Sequence, residues 1–84
     1  MQKNDKVITE KQKVDMLKRI GEKVRELRKA SEPNYDTFSK KHHINKVTLQ
    51  RIESGQNFTM TSFLQVLGAL DISLQDFFSG LDKK

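Results

Sequence analysis

At 84 residues the chain is long enough for one domain and too short for a second core. Only 35% of it is apolar and 32% is charged, so a core has to come from helices that each donate one apolar stripe. The lack of cysteine excludes a disulfide framework and a thiolate metal site, and the short apolar runs exclude a membrane-spanning helix. The net charge of +5 is unevenly spread. Residues 1–33 hold ten Lys/Arg against six Asp/Glu, residues 34–53 hold four against two, and residues 54–84 hold two against three. That asymmetry suits a polyanion on one side of the molecule, although basic domains without nucleic acid are also common.

Residues 1–14 read as a flexible basic N-terminal arm, within which Thr9 and Gln12 have the spacing of a capping box where a helix can begin. The arm has no apolar block of the signal-peptide kind, so a cytoplasmic location is expected. A single domain is expected over residues 15–80. Leu17, Ile20, Val24 and Leu27 recur at helical spacing and predict a first helix over about residues 15–30, ending before Pro33. Asn34 is placed to cap a second helix over 35–42 with Phe38 as its core residue, and Asn45 a third over 46–54 with Leu49 and Ile52 inward. Gly55 falls where a left-handed residue would close the third helix. Thr59 caps a fourth over 60–70, in which Met60, Phe63, Leu64 and Leu67 follow the core pattern and Leu70 extends it. Ser73 with Asp76 makes a box-like cap for a fifth over 74–79, closed by Gly80. Leu74, Phe77, Phe78 and Leu81 supply more apolar surface than so small a core needs, so part of them is expected at a dimer seam. The expected architecture is all-α: a compact bundle of four to five short helices.

Function concentrates between Asn34 and Gly55. Two short amphipathic helices separated by three or four residues must cross steeply, and the second then projects from the body of the domain. Its outer face carries Lys46, Val47, Gln50 and Arg51, while Leu49 and Ile52 point inward. Lys and Arg can donate to guanine edges, Gln can pair with adenine, and Val47 or Thr48 can touch a thymine methyl. Such a mixture suits readout of the DNA major groove. Lys40 and Lys41 lie beside this helix, as a plain solvated face or as phosphate contacts.

Three stretches carry a resemblance: Ile20 to Arg28 (IGEKVRELR), Tyr35 to Ser39 (YDTFS) and Ile44 to Gly55 (INKVTLQRIESG). With Phe63 to Leu67, Leu70 and Ile72-Ser73-Leu74 they cover about residues 17–79. Together they resemble the Cro/repressor-type helix-turn-helix family, also called the xenobiotic response element family. Its most specific pieces here are the R-I-E-S-G ending of the third helix and the L-x-I-S-L-x-x-F-F finish. The resemblance implies a lambda-repressor-like DNA-binding domain with Lys46, Val47, Gln50 and Arg51 at base-reading positions of the third helix. Asn34, Tyr35, Lys40, Asn45 and Thr48 are expected to flank them in the interface. Gln56 and Asn57 match a loop that approaches the sugar-phosphate backbone. Tyr35 replaces a usual glutamine that contacts phosphate, a contact its phenol can also make. Ser39 replaces a usual alanine at the crossing of the two helices, and His43 a usual glycine, which would place His43 at positive φ. Arg28 and Glu53 match a pair that forms a partly buried ion bridge in some members.

The adjacent His42 and His43 point ~100° apart on a helix and have no Asp, Glu or Cys cluster to complete a metal site. No nucleophile stands at a base-like spacing, so neither enzymatic activity nor a cofactor is expected. The expected partner is double-stranded DNA, bound as a homodimer on a palindromic operator by a transcriptional regulator, most simply a repressor. Two other readings are open: an antitoxin-like, partner-binding module of the same fold, and a non-specific binder that works by charge.

Overall fold

The computed structural model describes residues 7–82, and all regular structure among them is helical. The helices are α1 (Glu10–Ser31), α2 (Tyr35–His42), α3 (Lys46–Glu53), α4 (Met60–Ala69) and α5 (Leu74–Asp82). None is long and apolar enough to cross a membrane. The expectation of an all-helical bundle is met.

Helix starts follow local chemistry closely. Thr9 and Gln12 form the reciprocal box: the Gln12 amide donates to Thr9 Oγ1 at 3.1 Å, and the Thr9 amide donates to Gln12 Oε1 at 2.8 Å. This corrects the expected start near residue 15. Residues 10–14, assigned to a flexible arm, form the first turn of α1, because the box satisfies two otherwise orphaned N–H groups. Residues 1–6 of that arm lie outside the described residues. Asn34, Asn45, Thr59 and Ser73 cap α2 to α5 as expected, each accepting from a backbone N–H of the following turn. At its far end α1 gives way at Glu32, whose extended backbone precedes Pro33.

The core gathers Ile20 and Val24 of α1, Phe38 of α2, Leu49 and Ile52 of α3, Phe63, Val66 and Leu67 of α4, and Phe77 and Leu81 of α5. Leu17 and Leu27 are only half-buried. Two expectations about this core are corrected. In α4, Met60 and Leu64 stand in solvent at 58% and 46% exposure, while Val66 is buried. The inward stripe is therefore Phe63, Val66, Leu67 and Leu70, the same helical period in another register. In α5, Gly80 does not close the helix, which runs on to Asp82 because Leu81 is buried and its carbonyl accepts from Arg19 Nη2 at 3.0 Å. Phe77 is buried too, its ring edge-on to Phe63 with centroids 5.4 Å apart, and Phe78 is partly buried. Of the four residues assigned to a seam, Leu74 alone remains exposed.

One close approach fixes how α1 carries α3. A Cβ placed on Gly21 would lie 2.4 Å from the Ile52 carbonyl oxygen and 2.9 Å from that of Glu53. Only glycine lets the two helices meet there.

Candidate nucleic-acid interface

Asn45 accepts from the amides of Val47 and Thr48 and so starts α3 immediately after the three-residue connection His43–Asn45. Eight residues of helix then divide cleanly. Leu49, Ile52 and Glu53 are buried, whereas Lys46, Val47, Gln50 and Arg51 are exposed and Thr48 is half-buried. The outward set is the one assigned to base reading from the sequence.

Several exposed side chains are already engaged with each other. Lys46 Nζ lies 2.7 Å from Asp36 Oδ1 in the first turn of α2. Arg51 Nη1 donates to Gln56 Oε1 at 3.2 Å, and Gln56 Nε2 donates to Ser54 Oγ at 3.2 Å. Arg51 therefore stands between two surface depressions. One is lined by Val47, Gln50, Arg51, Ser54 and Gln56, the other by Thr48, Arg51, Asn57, Phe58, Thr59 and Ser62. Gln56 and Asn57, expected near a sugar-phosphate backbone, thus border the same face as α3. Asn34 and Asn45 are exposed at the starts of α2 and α3, with their side-chain oxygens used in capping. Lys40 and Lys41 are exposed on α2, one turn beyond Asp36.

Beneath this face lies a buried polar cluster. Arg28 Nε donates to Glu53 Oε2 at 2.8 Å and Arg28 Nη2 to Glu53 Oε1 at 3.0 Å, with both side chains only 2% exposed. The remaining donor, Nη1, reaches the carbonyls of Glu32 at 3.2 Å and Pro33 at 2.7 Å. One guanidinium thus binds the end of α3 to the α1–α2 link, and the expected ion bridge is present. Tyr35 departs from its expected role. Its hydroxyl donates to Glu53 Oε1 at 3.0 Å, and its ring lies under the Arg28 guanidinium, 4.2 Å from Cζ to centroid. The hydrogen that a phosphate would take is committed inside the domain. Burial raises the Tyr35 phenol above its ordinary range, and the bond to Glu53 adds to the effect. The bond to Glu53 likewise raises Arg28 above its own.

His43 has φ 56° and ψ 43°, the left-handed conformation expected of it. Its carbonyl accepts from Gln65 Nε2 at 3.2 Å, a tie from α4 to the α2–α3 connection that no sequence pattern announced. His42 packs its ring 4.6 Å from that of Phe38. Among the described residues no group of three or more His, Asp or Glu is placed to hold a metal ion. Ser39, at the α2–α3 crossing, is buried with its hydroxyl unpartnered, so its small size is what the position uses. The Asp36–Lys46 pair was also missed, because it depends on how two helices cross and not on any spacing along one of them.

Comparison with known proteins finds no matching family model, no matching curated protein and no matching solved structure.

Proposed function

We propose that the protein is a sequence-specific DNA-binding transcriptional regulator, most simply a repressor, with a lambda-repressor-like domain that lays α3 in the major groove. The observation that carries this reading is the two-sided character of α3: Lys46, Val47, Gln50 and Arg51 outward, over Leu49, Ile52 and Glu53 locked inward. A binder that works by charge alone needs no such mixture of guanine, adenine and methyl complements. Gln56 and Asn57 border α3 and, with the exposed Lys40 one turn beyond Asp36, suit backbone contacts; the Tyr35 hydroxyl, turned toward Glu53, drops out of that set. One eight-residue helix covers few base pairs, so the protein acts as a homodimer on a palindromic operator.

Selection of bound sequences from a random duplex library tests this, followed by alanine replacements measured on the selected and scrambled sites at several salt concentrations. Lys46, Gln50 and Arg51 to alanine should each cost ~1–3 kcal/mol on the selected site and relax one base position. Lys40→Ala should weaken both sites alike and reduce the salt slope by about one unit. Parallel losses for all four would leave a charge-driven binder.

The outer face of α4 supports a second reading, an antitoxin-like or other partner-binding module of the same fold. That helix contains no charged residue and exposes Met60 and Leu64. A tightly bound small protein that blocks this face would decide for it.

A further inference from the structure

Of the two cationic side chains on the outer face of α3, Lys46 is held by an acid. Its Nζ sits 2.7 Å from Asp36 Oδ1, with both side chains about half exposed at 48% and 59%. Asp36 lies in the first turn of α2 and Lys46 opens α3, so the pair bridges the two helices across the connection. The bond from Lys46 holds the Asp36 carboxyl below the usual carboxylate range, and Lys40 on the next turn of α2 adds to this. Asp36 is therefore ionised at neutral pH.

An exposed pair of this kind adds little to stability. On a face meant to meet phosphates by charge it is also counterproductive, since the carboxylate repels them and the lysine it holds releases fewer counterions. Its chemistry fits a base edge better. The ammonium is a donor and the carboxylate an acceptor, one hydrogen bond apart. Whatever edge Lys46 reaches, Asp36 is beside it. In the major groove a G·C pair presents the O6 and N7 acceptors of guanine next to the N4 donor of cytosine, the partners lysine and aspartate take.

Building on the DNA-binding reading above, we propose that Asp36 is a specificity-determining residue, which forms with Lys46 a donor–acceptor unit for one G·C pair and restrains Lys46 from phosphates. Asp36 thereby trades affinity for any duplex against preference for one.

The test compares wild type, Asp36→Asn, Lys46→Met and the double variant, with Glu22→Gln as a control that removes an equal charge from an exposed position of α1. Each is titrated with the selected duplex, with the same duplex changed at one pair, and with scrambled DNA. Asp36→Asn should bind scrambled DNA more tightly with a salt slope steeper by about one unit. At one G·C position its preference should fall by roughly 5- to 150-fold, the span of one good base contact. Lys46→Met should lose the same preference, and the double variant no more than Lys46→Met alone. If Asp36→Asn instead tightens selected and scrambled DNA equally, as expected of Glu22→Gln, the proposal is wrong. Sensitivity at an A·T pair would overturn the base assignment. The Lys46 Nζ resonance of the DNA-free protein distinguishes loss of the Asp36–Lys46 pair from loss of DNA binding. If it does not move on Asp36→Asn, the pair is absent in solution and the proposal falls while the DNA reading stands. If it moves but wild type prefers no duplex, the DNA reading itself fails and takes the proposal with it.

Discussion

Glu53 ends α3, where the helix dipole disfavours an acid, and it is buried. Both problems are solved by the same two neighbours. The Arg28 fork supplies two charge-assisted hydrogen bonds and the Tyr35 hydroxyl a third. With both charges this deeply buried, removing either partner belongs to the class of changes that cost about 3–5 kcal/mol, well beyond an exposed ion pair. Tyr35 offers a clean measurement, because it is the only tyrosine in the chain. Its phenol is raised in the folded state, first by burial and then by its bond to Glu53. The folded protein therefore holds this proton more tightly than the unfolded chain does. The stabilisation is complete below the unfolded value of about 10 and is lost as pH rises through the folded one. Tyrosinate absorbance should thus appear above about pH 10. The melting temperature of wild type should fall over that window more steeply than that of Tyr35→Phe. Parallel declines would mean that Tyr35 does not donate to Glu53.

Three helices end in the same way at the level of the element. In α2, α3 and α4 a 6→1 bond runs from Ile44 to Ser39, from Gln56 to Arg51 and from Ile72 to Leu67. A 5→2 bond lies inside each, from His43, Gly55 and Asp71, all at positive φ of 56°, 83° and 58°. Only the middle one uses glycine. His43→Gly and Asp71→Gly should each raise stability by a few tenths to about 1 kcal/mol, the left-handed strain relieved less the added freedom of the unfolded chain. Gly55→Ala should lower it by about 1–2 kcal/mol. Chemical denaturation measures all three, and a loss on His43→Gly would contradict its left-handed backbone. These ends also show what a sequence can reveal about elements. Gly55 was readable from residue type, and His43 only through a resemblance. Asp71 went unnoticed, since aspartate suits ordinary turns as well as left-handed positions. The starts were easier, because each cap acts on a backbone amide two or three residues away. Met60 and Leu64 misled for the opposite reason. The run from Met60 to Leu70 has no charge to mark its outer face, so two registers of the same period fit it equally well.

For the whole molecule, the outward set on α3 was legible because burial of Leu49 and Ile52 leaves no other direction for Lys46, Gln50 and Arg51. What sits beside them was not. The Asp36–Lys46 pair and the Gln65 tie to His43 arise where separate helices meet, and no linear pattern encodes a crossing. The same distinction between near and distant partners has a kinetic consequence. Arg28 and Glu53, which fasten α1 to α3, are 25 residues apart in sequence. Arg19 and the Leu81 carbonyl, which fasten α1 to α5, are 62 apart and close a far longer loop. The α1–α3 contact should form in the folding transition state, and α5 should dock after it. Ile52→Val should then slow refolding, whereas Leu81→Ala should mainly accelerate unfolding, as the two arms of a denaturant chevron would report. The reverse assignment would mean that the chain closes end to end first. On the order expected here, the recognition helix is seated while the C-terminal helix is still free, and local opening of the native protein should begin at α5.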